Sequence, residues 1–124
     1  GAQRVVITDG AAGCVVCDAG GSRRVPAYRV KRVVDSTGAG DAFLGGYLAG
    51  EALGLRPIDA ARLGNACGAA CVERLGAFPD EPDDLRARVI ARYDGAKPKD
   101  PRWAALVARA AAVARGAKSG RAAK

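Results

Sequence analysis

The chain opens on consecutive apolar, β-branched residues, Val5-Val6-Ile7, inside the stretch Gln3 to Thr8. A run without polar alternation predicts a strand over 3–8 that is buried on both faces. Asp9-Gly10-Ala11-Ala12-Gly13 has the composition of a turn, and Cys14-Val15-Val16-Cys17 predicts a second short strand. Gly20-Gly21-Ser22 predicts the next turn. Arg24 to Val34 reads as extended chain, and Pro26 within it suggests an edge or a crossing segment. The period changes after Gly38-Ala39-Gly40. Asp41 opens a long apolar helix running to about Ala52, and Gly54 stops it. Pro57-Ile58-Asp59 introduces a helix from about Ala60 to Arg74, with Leu63, Ala66, Cys67, Ala70 and Cys71 on one stripe and Gly76 at its end. Past a loop at 79–82, a helix is expected over 85–93. Asp100-Pro101 then begins a last one, from Trp103 to about Arg115. Strand, hairpin, glycine-rich turn and paired helices make an α/β pattern. In such folds a ligand sits where a strand gives way to a helix N-terminus.

Composition refines this picture. The 124 residues suit one domain, and with 49% hydrophobic but only 5% aromatic residues the core must be built from Ala, Val, Leu and Gly. The sequence starts without Met and reaches a strand almost at once, which points to the C-terminal part of a longer protein. No apolar run is long enough to span a bilayer. The net charge of +7 resembles a nucleic-acid signal until it is located. Residues 1–95 carry twelve Lys/Arg and twelve Asp/Glu, whereas 96–124 carry eight Lys/Arg against Asp100 alone. A neutral body therefore precedes a basic helix and tail, which argues against a nucleic-acid-binding domain. Four cysteines without any histidine do not make a convincing zinc site. Cys14 and Cys17 point to opposite faces of a strand, while Cys67 and Cys71 share a helix face. Buried, reduced thiols in a cytoplasmic protein are the expectation.

The candidate chemistry lies in Asp35-Ser36-Thr37-Gly38-Ala39-Gly40-Asp41. Gly38 and Gly40 permit backbone angles that other residues avoid, and they leave room for close approach. Successive N–H groups can then face one concavity at a helix N-terminus, where the dipole favours an anion. Gly38, Ala39 and Gly40 are thus a candidate anion hole for a phosphoryl group. Asp41, in the first turn of the same helix, is placed to take a proton from an attacking hydroxyl. The stretch is neither a GxxxxGK[ST] loop nor a dinucleotide fingerprint, and taken alone it reads equally well as a capped helix.

The longer stretch Asp35 to Leu48 resembles the C-terminal signature of the ribokinase-like (PfkB) carbohydrate kinases. Val6-Ile7-Thr8-Asp9-Gly10-Ala11-Ala12-Gly13 is similar to that family's strand and ATP-contacting turn. Arg24-Val25-Pro26-Ala27-Tyr28, Asn65 and Gly76-Ala77-Phe78-Pro79 also match, so the likeness covers about residues 3–93. It implies the C-terminal part of a ribokinase-like three-layer α/β/α sandwich, with an ATP-binding part over 1–95 and a basic helix and tail over 96–124. It implies an ATP-dependent kinase acting on a sugar hydroxyl, with Mg²⁺ on the ATP phosphates. Thr8, Gly10 and Gly13 would line the ATP phosphates and ribose, Asn65 the adenine pocket, and Asp41 would be the base. A monovalent cation, usually potassium, would fall to Asp35, Thr37, Cys71, Arg74, Gly76 and Asp80, several through backbone carbonyls. Two departures stand out. Asp9 adds negative charge near the phosphates unless it points outward, and Cys71 suits the cation only through its carbonyl. The resemblance also places the sugar-binding carboxylate and the lid, through which a homodimer could form, in an N-terminal part that these residues do not include. The isolated 124 residues are therefore expected to be inactive.

Three other readings compete. Phe78-Pro79-Asp80-Glu81-Pro82-Asp83 resembles the late loop of adenosine kinases, which suggests a nucleoside acceptor. A regulatory module that has lost catalysis would not need Asp41. A nucleic-acid binder would work through the basic tail.

Overall fold

The structure is a computed structural model that describes residues 1–76 and 82–95, together with isolated positions at 101, 104, 105, 108, 112 and 116. The late loop with Asp80, Trp103 and most of the helix expected around it lie outside the described residues. Strands β1 (Val5–Thr8), β2 (Cys14–Asp18) and β3 (Gly21–Val25) form an antiparallel meander in the order β1-β2-β3. The register pairs Val6 with Val16 and Val15 with Arg24. Helices α1 (Ala39–Ala52), α2 (Pro57–Val72) and α3 (Pro82–Gly95) follow. Helix α2 is central: it packs on β2 and β3, on α1 and on α3. The sheet and helices bear out the α/β reading. Among the described residues no helix is long and apolar enough to cross a membrane.

The turn between β1 and β2 is a short 3-10 segment (Gly10–Ala12) closed by three backbone bonds: Asp9 N–H to Gly13 O, Ala12 N–H to Asp9 O and Gly13 N–H to Gly10 O. β3 stops at Val25 because Pro26 has no N–H to continue the ladder, so the extended stretch expected over 24–34 is a strand only at its start. α1 begins two residues earlier than expected, leaving Asp41 inside its first turn. α2 begins at Pro57, not Ala60: Arg56 is still extended, and proline suits the first helical position. α2 also ends at Val72, short of Arg74, and α3 is longer at both ends than 85–93.

The core is small-residue packing, as the composition requires. α1 and α2 approach so closely that a Cβ on Gly46 would stand 2.7 Å from Cys67 Sγ, one on Gly50 2.9 Å from Ala60, and one on Gly64 2.8 Å from the Phe43 ring. Gly45, next to Gly46 in the chain, faces open space. Phe43 and Tyr47 stack with centroids 6.2 Å apart, beside Leu63 and Ala66. Burial against Gly46 pushes the Cys67 thiol up to about 11. All four cysteines are free thiols.

One anchor has no counterpart in the sequence reading. Asp59, fully buried in the first turn of α2, pairs with Arg56 at 2.8 Å and Arg62 at 3.2 Å, and its carbonyl accepts the hydroxyl of buried Tyr93 from α3. Arg92 adds an ion pair to Glu73, so α3 is tied to α2 at two points.

The expectation that β1 is buried on both faces is not met. Val5 and Ile7 are 46% and 55% exposed, and β1 pairs with β2 alone. Its second edge is open among the described residues, so neither covering layer nor neighbouring strand shields it. Leu44 and Leu48, on the side of α1 nearest β1, are also exposed.

Candidate functional site

The site is built around the start of α1. Gly38 is its N-cap and adopts the left-handed region (φ +79°, ψ 2°), which a Cβ disfavours. Its carbonyl receives the first helical bond, from Ala42 N–H at 2.9 Å. Ala39 N–H is turned back onto the Ser36 carbonyl at 3.2 Å. Gly40 and Asp41 have no backbone acceptor for their N–H groups among the described residues, as expected for a first helical turn. These two amides, with the positive end of the helix dipole, can receive an anion. Ala39, one of the three candidate anion-hole residues, therefore contributes position more than a donor. Asp41 is exposed at this same turn.

Asp35 holds the loop that leads into α1. One carboxylate oxygen accepts Thr37 N–H at 2.9 Å and the other accepts Gly76 N–H at 3.1 Å. Hydrogen bonds from Thr37 first, and from Gly76 next, hold the Asp35 carboxyl below its ordinary range. The Cys71 thiol donates to the Thr37 carbonyl at 3.4 Å, and Arg74 N–H donates to the Cys71 carbonyl at 3.4 Å. Val34 and Asp35 also give their N–H groups to the Val72 carbonyl. Asp35, Thr37, Cys71, Arg74 and Gly76, far apart in sequence, thus form one bonded group behind the glycine turn. Their oxygen acceptors are the Asp35 carboxylate and the Thr37 and Cys71 carbonyls.

A cavity of about 670 Å³ opens in front of that turn. Thr8, Gly10 and Gly13 line one wall, Asn65 with Gly68 and Ala69 the wall from α2, and Ala39 and Gly40 the end at α1. Thr8, Gly10, Gly13, Asn65, Ala39 and Gly40 therefore border one space, while Gly38 and Asp41, on either side of Ala39 and Gly40, do not line it. Two of them also have structural work. Gly13 has φ +98°, and a Cβ there would stand 2.1 Å from the Val25 carbonyl oxygen. Asn65 is buried and donates its amide to the carbonyls of Val25 (3.2 Å) and Pro26 (3.1 Å), pinning the end of β3 to α2. Gly10 differs, since nothing lies within 4 Å of the Cβ position. Asp9 points away and pairs with Arg24 at 3.4 Å, on the surface. Its charge is spent there, as the outward alternative anticipated.

The sequence assigns no role to Arg29, Val30 and Val33, which line the wall between β3 and the glycine turn. The only usable signal was their position, since 27–36 joins the strand to the glycine turn. A second, smaller groove of about 440 Å³ runs between β1 and α1, bordered by Arg4, Val6, Leu44, Tyr47, Leu48 and Glu51. Arg4 and the Tyr47 hydroxyl both bond the Glu51 carboxylate there.

The pfkB carbohydrate kinase family matches residues 1–84. Inositol 3-kinase of Oryza sativa is 43% identical over 83 residues, covering 67% of this chain and 21% of that protein. The solved nucleoside kinase of Burkholderia thailandensis in complex with inosine superposes with a TM-score of 0.68 at 37% identity, over 76% of this chain and 30% of that one. Aminoimidazole riboside kinase of Salmonella enterica, solved with aminoimidazole riboside and an ATP analogue, gives a TM-score of 0.62 at 38% identity, over 72% and 32%. The chain thus spans about a fifth to a third of the length of these relatives.

Proposed function

Because the chain belongs to the pfkB family of carbohydrate kinases, we propose that it forms the nucleotide side of an enzyme moving the terminal phosphoryl group of ATP to a sugar hydroxyl. The observation that carries this reading is the convergence of Thr8, Gly10, Gly13, Asn65 and Gly40 on one cavity that ends at an open helix N-terminus. Bound ATP with Mg²⁺ would supply the activated phosphoryl group and a metal charge to offset its oxygens. Thr8 and the Gly10 turn receive the phosphate chain, and the Gly40 and Asp41 amides receive the group in transfer. Asp41 accepts the proton of the attacking hydroxyl through its exposed carboxylate.

Behind this turn, Asp35 with the carbonyls of Thr37 and Cys71 would hold a monovalent cation such as potassium. Oxygen donors suit a hard ion, and each carbonyl keeps a second lone pair beside the hydrogen bond it accepts, from the Cys71 thiol at Thr37 and from Arg74 N–H at Cys71. The acceptor site and any dimer contact belong, in this proposal, to chain beyond these residues, consistent with the share of the relatives matched here. The four free thiols suit a cytoplasmic protein. A nucleoside acceptor is the second reading, favoured by the Burkholderia thailandensis likeness.

The test is Asp41→Asn in a polypeptide of full family length that contains these residues. Turnover should fall about 10²- to 10⁴-fold, with MgATP affinity retained. Undiminished turnover would remove Asp41 from the role of base, and activity on nucleosides alone would select the second reading.

A further inference from the structure

The larger cavity has one charged residue on its wall among those described, Arg29. Every other lining residue is apolar, glycine or a neutral polar side chain. Arg29 is exposed, and no hydrogen bond or ion pair holds it among the described residues. The neighbouring arginines are engaged elsewhere: Arg23 with Asp18, Arg24 with Asp9, and Arg62 with Asp59. Lys31 and Arg32 are also exposed, two and three residues further on, but do not border the cavity.

The electrostatics leave a place for this cation. A helix N-terminus presents only about half a positive charge. The body of the chain is neutral overall, with twelve Lys/Arg against twelve Asp/Glu over 1–95. A phosphate chain carries several negative charges into the cavity, more than two backbone amides can offset. A guanidinium offers forked donors matched to phosphate oxygens and stays charged at any working pH. It sits on the segment joining β3 to the glycine turn, so it borders the same space as Gly10 and Gly40.

We propose that Arg29 is a binding residue that contacts the phosphate chain of the nucleotide and sets the preference for nucleotide over nucleoside at this cavity. The inference rests on the nucleotide reading above and adds a residue to it. Arg29 would act on affinity and would transfer no proton.

Calorimetric titration of the 124-residue chain with MgATP, MgADP and adenosine tests it. Arg29→Gln should weaken MgATP and MgADP about tenfold, in the range of one charge-assisted hydrogen bond, and leave adenosine within about twofold. Arg29→Lys should recover part of the loss, because the charge remains while the fork is gone. Lys31→Gln and Arg32→Gln remove the same charge away from the cavity and should change MgATP affinity by less than about twofold. An equal loss for adenosine would mean that Arg29 stacks on the base, and an equal loss in the Lys31 or Arg32 variants would mean a diffuse field; either overturns the assignment. Unchanged MgATP affinity in Arg29→Gln overturns it while leaving the nucleotide reading intact. Absence of any nucleotide binding by the unaltered chain overturns both.

Discussion

Gly13 occupies a backbone conformation that only glycine takes comfortably, and its missing side chain makes room for the Val25 carbonyl. Gly13→Ala therefore combines strained φ with a backbone clash. It should cost about 3 kcal/mol or more, read as a lower midpoint in urea unfolding, whereas Gly10→Ala should cost less than half as much because its Cβ meets open space. Asp35 is tested by pH. Its two acceptor bonds depress its pKa below the ordinary value of 3.8, so its contribution is complete above that value and is lost as pH falls through the lower, folded-state pKa. The carbon-13 shift of the Asp35 carboxyl should titrate with a midpoint below 3.8, and the Thr37 and Gly76 amide resonances should move with it. A midpoint at or above 3.8 would mean that the clamp is absent in solution. At this scale the sequence located Asp35, Gly38, Gly40 and Asp41 at a helix start, because glycine and carboxylate spacing there limits what the backbone can do, and by itself left an anion hole and a capped helix as equal readings. It said little about Asp59, whose importance depends on Arg56, Arg62 and Tyr93 arriving from other turns.

Helices α1 and α2 approach most closely at Gly46, Gly50 and Gly64, the last against the Phe43 ring. Close backbone approach replaces the volume that aromatic residues supply in other cores. Gly64→Ala pushes a methyl group into the Phe43 ring and should cost about 1–3 kcal/mol, measured by thermal or urea unfolding. Gly45→Ala, one residue from Gly46 but facing open space, is the matched control and should be neutral or slightly stabilising, because alanine is the better helix former. The pattern of the chain located α1, α2 and the hairpin. Their ends were less legible, since Pro57 and Gly38 act through backbone geometry that hydrophobic spacing does not register. The strand β1 was legible as a strand but not as an exposed one. Apolar periodicity reports what a segment can bury, and burial also requires something to lie against it.

Across the molecule, charge separates along the sequence: a balanced body to residue 95 and a basic remainder. Under the proposed division, a chain ending at Gly95 should keep its MgATP affinity within about twofold in calorimetry and lose most of its salt-dependent attraction to polyanions. A large loss of nucleotide affinity would give the tail a part in the cavity.

The open edge of β1 carries a consequence for register. Val5 and Ile7 project to one face and Val6 to the other, so a strand laid along this edge finds apolar side chains in either phase. A one-residue slip of β1 itself along β2 would likewise be only weakly penalised by burial, because Val5 or Ile7 would take the place of Val6. Thr8 must nevertheless fall at the cavity and not one place beyond it. The phase is fixed instead at the far end of the strand, where the bonds from Asp9 to Gly13 and the crowded Val25 carbonyl allow one arrangement of the turn. A glycine selected for its backbone thereby keeps a threonine, five residues away, in step with the pocket.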